Sequence, residues 1–400
     1  MTTTALHRPQ AQAQTQTQTQ TQPQPLTQPH TLMGDRHADL RQAYAQARQA
    51  GSKRHRDIAL QLKVSEGELI GAHVGHHDHS LQATRLQGPW HKVVAALQGV
   101  GPVMALTRNP SCVHEKDGTY RDASASGPAG REMGLVLGPE IDLRIFYSRW
   151  VHGLAVAEAS TSGVQRSLQF FDAHGVAVHK VFARPGTDPQ AWQILVDRHA
   201  SDDTLPGLDV LPASEASTAT LSKPDADIDL PAFHQAWAAL RDTHDFFSLL
   251  RRHGLTRTQA LRLAEPRFAQ AVDTDSAQQL LLAAAAAGTS VMVFVGNPGL
   301  IQIHTGPVHR VQMLGPWLNV LDEGFNLHLR TDHIHSAWVV RKPTADGLVT
   351  SLELFDAQGE TIAMFFGERK PGRPELCGWR AMVENLAGDR RSTEVSPCAC

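Results

Sequence analysis

The chain has 400 residues, enough for two or three domains, and its 41% hydrophobic and 19% charged residues give a globular balance. A formal net charge of -3 gives no overall basic excess for nucleic acid or an anionic membrane surface. The four cysteines, Cys112, Cys377, Cys398 and Cys400, are too sparse for a disulfide framework or a four-thiolate zinc site, and fit a reducing compartment.

Residues 1–32 form a Gln/Thr/Pro-rich tail without the apolar segment of a signal peptide. Such a composition buries too little surface to offset its ordering entropy, so disorder is expected. No apolar run reaches the roughly 18 residues of a membrane span, and LLLAAAAAG reads as a helix end closed by Gly288. A first repeat is expected over 33–200. It opens with a helix closed by Gly51, then two short helices joined at Val64-Ser65. A further helix in GPWHKVVAALQGVG leads into the strand region beginning VMALTRNPSCVHEKDG. DLRIFYSRW, GLAVAEA, RSLQFFD and VAVHKVFA are strands broken by Gly and Asp-Ala-His-Gly turns, and TDPQAWQILVDRHA returns to helix. Residues 201–228, rich in Ser, Asp, Pro and Thr, read as a linker. A second repeat is expected over 229–390, with one helix across 230–252, another from Thr256, a third ending at Gly288, and strands from VMVFVGNP onward. Residues 391–400 read as a flexible tail.

Internal repetition is direct. SLQFFDAHG at 167–175 aligns with SLELFDAQG at 351–359, an offset of 184 that also pairs Arg144 with His328. Asn109-Pro110 matches Asn297-Pro298 at an offset of 188, and Trp192 matches Trp379 in the closing helices. A duplicated α+β fold follows, two repeats each with a large antiparallel sheet flanked by helices. Clefts between sheet and helices are common ligand sites.

His244 falls on an apparent apolar stripe with Phe233, Trp237, Leu240 and Phe247. It reads either as a core histidine bonded to a carbonyl or as an axial ligand to a flat apolar cofactor. Alternation in DLRIF sets Arg144 beside Phe146 and opposite Leu143 and Ile145, either on an exposed face with a carboxylate or over a ligand pocket. His328 reads as a metal ligand or a sheet-surface histidine. Arg251, Arg252, His253 and Arg257 surround a helix junction where Thr256-x-x-Gln259 has capping-box form, and Arg341-Lys342 precedes a turn. His73, His76, His77 and His79 read as a solvated loop, with transition-metal binding as the alternative. Cys398-Ala399-Cys400 reads as a frayed end. DIALQLKVSEGEL has helix-turn-helix form, but Glu66 and Glu68 in its second helix suit a packed hairpin better than a phosphate-rich partner. Walker, G-x-G-x-x-G, G-x-S-x-G and H-E-x-x-H signatures are absent.

From about Leu40 to Leu386 the chain resembles the HemS/HmuS/ChuS group of haemin-degrading factors or cytoplasmic haem-trafficking proteins. VHEKDGTY, IDLRIFYSRW, DTHDFFSLLRRHGLTRTQA, VMVFVGNPGLIQIHTG, GPWLNVLDEGFNLHL and FFGERKPG carry the resemblance. It implies a cytoplasmic protein of iron acquisition holding one non-covalent b-type haem. His244 would be the proximal ligand and Arg144 the distal arginine, with Phe146 beside it. Phe247 and Phe294 would line the pocket, Arg257 and Lys342 would meet propionates, Arg369 would lie at the distal rim, and His328 would form a secondary haem site. Many relatives carry Tyr where Phe366 stands, so a distal phenol is missing here. The resemblance leaves three activities open: delivery by a haem chaperone, degradation with electrons from a separate reductase, and haem-responsive DNA binding. The partners it implies are a haem uptake transporter, a haem oxygenase or reductase, and a second copy of the chain.

Overall fold

The computed structural model describes residues 35–51, 54–77, 80–161, 163–212, 223–369 and 372–388. The tail expected at 1–32, His79, the middle of the 201–228 linker, and Cys398 with Cys400 lie outside them. The first repeat begins with helices α1 (Arg36–Gln49), α2 (His55–Leu62) and α3 (Glu66–Gly71). Strand β1 (Leu81–Leu86) and helix α4 (Trp90–Ala96) lead to β2 (Val103–Arg108) and β3 (Cys112–Gly118). Then come β4 (Ser124–Ser126), β5 (Met133–Leu137), β6 (Asp142–Phe146), β7 (His152–Ser160), β8 (Gly163–Phe171), β9 (Ala177–Ala183) and helix α5 (Pro189–His199).

The second repeat follows the same order. Helices α6 (Leu230–Ala238), α7 (Asp245–His253) and α8 (Arg257–Leu263) precede β10 (Ala269–Val272), α9 (Ser276–Ala287), β11 (Val291–Asn297) and β12 (Leu300–Gly306). It ends with β13 (Val311–Leu314), β14 (Trp317–Asp322), β15 (Phe325–Arg330), β16 (Ser336–Thr344), β17 (Gly347–Phe355), β18 (Thr361–Gly367) and helix α10 (Cys377–Leu386). The expected turn at Val64-Ser65 is present. Ser65 and Glu68 form a full capping box, satisfying two backbone donors at the start of α3.

The expected antiparallel sheets are present, with nine strands each, but neither belongs to one repeat. One runs β1-β7-β8-β9-β2-β3-β15-β14-β13 and the other β10-β16-β17-β18-β11-β12-β6-β5-β4. Each repeat therefore lends three strands to the other's sheet. The side chains of the lent strands follow a different rule. Leu318, Val320, Leu327 and Leu329 of β14 and β15 pack with Val291, Val293, Leu352 and Phe365, beneath Leu280 of α9 and Trp379 of α10. Val136, Leu143 and Ile145 likewise pack with Val103, Ala105, Leu168 and Val181 of the first repeat. Backbone hydrogen bonds are exchanged, while each hydrophobic core is built within its own repeat except for Cys112 and Leu300, which cross to the other's core. The repeated Asn-Pro pairs pin this arrangement. Asn109 donates to the carbonyls of Gly296 and Ile362, and Asn297 donates to those of Arg108 and Val178.

Helices α1–α3 cover the β1–β7 end of the first sheet's other face, through Tyr44, Ile58, Leu69 and Ile70 against Leu81, Leu154 and Phe171. Helices α6–α8 cover the corresponding end of the second sheet through Phe233, Trp237 and Phe246 against Val340 and Phe355. The helix α3 of the helix-turn-helix pattern is itself buried. Its Gly67 lies so near Gly175 that an added Cβ would sit 3.0 Å from that residue's backbone. Part of the expected linker is also seated on the first repeat, where Gly207 N–H donates to Gly71 O and the Arg85 guanidinium donates to the Leu205 and Gly207 carbonyls. Among the described residues, no helix is long and apolar enough to cross a membrane.

Candidate functional site

The helices cover only one end of each sheet's outer face; beyond them lie, on the first sheet, a cavity lined by Leu106, Phe182, Trp317 and His328 and, on the second, the half-buried cleft face of Met292, Phe294, Met364 and Phe366. The register fixes what the second-sheet cleft presents, because residues directly opposite in antiparallel strands share a face. Arg144 lies opposite Ile301, Asp142 opposite Ile303, and Ile303 opposite Phe294. Met292 lies opposite Phe366, and Phe294 opposite Met364. Ser351 then faces Phe366 and Glu353 faces Met364, with Lys342 one strand further. The expected side of Arg144 is observed: Asp142, Arg144 and Phe146 point to this face and Leu143 and Ile145 to the core. From β18 to β6 the face spans three strand spacings, about 14 Å. Phe294 and Phe366 meet edge to face at 5.0 Å on its apolar floor.

The apolar stripe on which His244 was placed is not formed. The helix expected across 230–252 is broken, with α6 ending at Ala238 and α7 beginning at Asp245. The Asp242 carboxylate accepts from the His244 backbone N–H at 2.9 Å, a local alternative to helix that restarts the chain in a new direction. His244 is consequently not on the Phe233–Trp237 stripe and is no core histidine, since its side chain is 89% exposed. Phe247, read as part of the buried stripe, is 71% exposed, and Phe246 takes the core position against Trp237 at 4.6 Å. His244 Nδ1 is 2.6 Å from Asp242 Oδ1. With Nδ1–H donating to the carboxylate, Nε2 is the free lone pair, the tautomer that a metal-ligating histidine uses. The His244 backbone and ring hydrogen bonds hold the Asp242 carboxyl below the usual range, so it stays charged.

Arg257 and Lys342 converge on a group that sequence reasoning missed. Arg257 donates to both oxygens of Glu353, at 2.7 and 2.8 Å, and Lys342 Nζ donates to Oε1 at 2.7 Å. Burial opposes ionisation of Glu353, but the two cations hold its carboxyl far below the ordinary range. Burial lowers Lys342 against the pull of Glu353. Both cations also lie on the Phe246 ring, at 5.3 and 4.7 Å. Their charges are therefore largely spent within the wall of the cleft. Arg369 sits 3.9 Å from Asp346, and its charge also reaches Asp242. Arg144 is ion-paired with Asp142, whose carboxyl burial raises despite that pairing. The expected capping box at Thr256 is half made: Thr256 accepts from Gln259 N–H, but the Gln259 amide donates to Lys223 O and Asp225.

His328 belongs to the other cleft. The lent strand β15 carries it into the first sheet, where Nδ1 meets Asn319 Oδ1 at 2.6 Å. Burial, and then the charge of Arg54, lower its pKa. That cleft encloses about 510 Å³. It has its own buried ion cluster, in which Glu66 binds Lys180 at 2.5 Å and is ion-paired with Arg108. The carboxylate is on the helix and the cations on strands here, the reverse of Glu353 and Arg257. The histidine loop also differs from expectation. His73 is buried, bonded through Nδ1 to Leu69 O at 3.1 Å and set edge-on to Tyr44. Among the described residues no group of three or more His, Cys, Asp or Glu is arranged to hold a metal ion.

With this geometry in hand, the comparisons with known proteins are specific. The haemin-degrading HemS.ChuX domain family matches residues 63–199 and 254–386. The hemin transport protein HmuS of Yersinia pestis is 40% identical over 351 residues, covering 87% of this chain and 97% of that protein. Holo-PhuS, a heme-binding protein from Pseudomonas aeruginosa, superposes with a TM-score of 0.82 at 46% identity, over 88% of this chain and 99% of that one. ChuS, an E. coli heme oxygenase, superposes with a TM-score of 0.76 at 36% identity, over 87% and 99%.

Proposed function

The chain belongs to the haemin-degrading HemS.ChuX domain family, and on that footing we propose that it is a cytoplasmic haem carrier of iron acquisition, binding one haem in the second-repeat cleft. The observation that carries the reading is His244: an exposed imidazole, oriented by Asp242, with Nε2 uncommitted, two residues before Phe246, on whose ring the Arg257 and Lys342 cations lie. The residues fit the ligand. Haem brings an iron with axial positions, a flat apolar ring and two carboxylates. His244 would hold the iron, Phe294, Phe366 and Phe247 would contact the ring, and Arg369 would be within the rim for a carboxylate. Arg257 and Lys342, tied to Glu353, would act through the wall as much as on the ligand. Arg144 with Phe146 would stand across the cleft from His244.

Delivery is favoured over degradation by two features. The proposed ligand sits on a short exposed turn, which suits release, and the Arg144 charge is already paired with Asp142. Degradation is the second reading, supported by the likeness to ChuS, a heme oxygenase. It requires an external reductant. In a haem titration the wild type should show a 1:1 Soret shift that His244→Ala loses; an unchanged spectrum in the variant removes His244 as ligand. The loaded wild type, given ascorbate with catalase, should keep its haem and pass it to apomyoglobin. Bleaching with release of a ring-opened product would select degradation instead.

A further inference from the structure

We propose that the first repeat binds a small aliphatic dicarboxylate in a cavity under the start of α5, at a place that the second repeat fills with a glutamate of its own. The duplication supplies the comparison. In the second repeat Glu375 is buried. It accepts from the Thr350 backbone N–H at 2.7 Å, from the Thr350 hydroxyl, and from Arg380 Nε at 2.7 Å. The Trp379 indole closes over the same strand residue by donating to Thr350 O. The offset that aligns β8 with β17 sets Arg166 against Thr350, and the match of Trp192 with Trp379 sets Asp188 against Glu375. The hairpin ends agree in detail: Ser160 Oγ donates to Gly163 O at 2.7 Å, and Thr344 Oγ1 to Gly347 O at 2.6 Å. The acid does not agree. Asp188 is a methylene shorter and turns back on its own helix, accepting from the Gln190 and Ala191 backbone N–H groups.

A cavity of about 400 Å³ is left there, with Val164, Arg166, Arg184, Pro189 and Trp192 in its walls and no carboxylate among its lining residues. Among the described residues, the Arg166 side chain makes no hydrogen bond or ion pair, and the Arg184 guanidinium donates only through Nε, to Asp117 at 2.8 Å. Two guanidiniums therefore line a cavity that has no acid of its own. Each can grip a carboxylate through parallel hydrogen bonds. The Trp192 ring with Val164 and Pro189 suits a short aliphatic stem, as the matching place in the second repeat suits that of Glu375. Two cations call for two carboxylates. Arg166 falls on the same face of β8 as Leu168 and Phe170, the core face, whereas His328 alternates with the core residues Leu327 and Leu329 and lies on the outer face. The site is thus separate from both clefts. Arg166 is exposed at the rim, so salt screens its attraction and the binding is weak.

The test titrates the full chain, isotope-labelled at tryptophan, with glutarate, and reads the indole N–H signals by nuclear magnetic resonance against sodium chloride of matched ionic strength. The Trp192 signal, assigned with Trp192→Phe, should shift saturably in the wild type. In Arg166→Gln the apparent Kd should rise about fivefold or more, the loss expected for one charge-assisted hydrogen bond. Arg166 is exposed, so this variant should keep the wild-type thermal midpoint, and its haem uptake should be unchanged. Equal affinity for glutarate in wild type and Arg166→Gln, a Trp192 shift that chloride reproduces, or no saturable shift in the wild type would overturn the proposal. Acetate binding as tightly as glutarate would overturn the assignment of a dicarboxylate.

Discussion

His244 gains its character from Asp242, two residues earlier. The carboxylate accepts from both the backbone and the ring of the histidine, so one side chain turns the chain and selects the tautomer. Asp242→Asn keeps an oxygen for the backbone bond but withdraws the negative charge behind the imidazole. Loss of such an orienting partner typically costs 10–100-fold in affinity, so haem should bind about tenfold or more weakly to the variant. Both side chains are exposed, and the thermal midpoint should barely move. Equal haem affinity in the two proteins would show that the pair does no more than shape the turn. His244 could be singled out in the sequence, but its environment was misread. Spacing of three and four suggests an apolar stripe only if the helix is continuous, and the break lies in an Asp-Thr pair, both good helix starters. Glu353 gave no signal at all, because its partners Arg257 and Lys342 lie 96 and 11 residues away.

At the scale of elements, the hydrophobic patterns located most of the helices and the first repeat's β2, β3 and β6 to β9, since period and end signals are local. Gly288 does close its helix in the left-handed conformation, and the matching Trp192 and Trp379 are both buried in closing helices. Strands β1, β4, β5 and β10, of three to six residues, were missed, being too short for alternation to register clearly. The seat of α10 shows what the local pattern omits. Trp379 is fully buried and lies on the last residue of β18, where a Cβ on Gly367 would stand 2.5 Å from the indole ring. Its Nε1–H donates to Thr350 O on the neighbouring strand, so the ring cannot slide away freely. Gly367→Ala should therefore destabilise the protein by roughly 1–3 kcal/mol, the usual range for overpacking. A denaturant midpoint unchanged from wild type would mean that α10 shifts to make room. Gly378→Ala, with nothing within 4 Å of its added Cβ, is the control.

The whole molecule departs most from what sequence could show. Apolar alternation reports which side chains are buried, and the lent strands bury theirs in their own repeat, so the repeats look self-contained. Which backbone they hydrogen-bond to leaves no such trace. The exchange brings the two sheets into contact along a seam of neutral histidines. Tyr120 donates to His179 Nε2, His179 Nδ1–H donates to Thr107 Oγ1, and the Thr107 hydroxyl donates across the seam to Gln302 Oε1. Further along, His304 stacks on Phe325 at 3.7 Å and accepts from Lys116 Nζ through Nδ1, beside the buried His114. Burial pushes His179 and His304 down to about 3, with Lys116 adding to the effect on His304, and burial lowers His114 well below the usual range. The unfolded chain binds protons at these histidines near pH 6.5, whereas the folded chain does not until far lower pH. Between those limits the unfolded state holds more protons, so stability is complete above about pH 6.5 and falls as the pH drops, by roughly 2 kcal/mol per histidine between pH 7 and 5. Because the seam joins both sheets, the loss should appear as one cooperative transition moving down in temperature. His304→Gln, which keeps a neutral polar side chain beside Lys116, should flatten the dependence by about one proton. Two separate transitions, or a slope identical to wild type in that variant, would show that the seam neither couples the repeats nor sets their acid sensitivity.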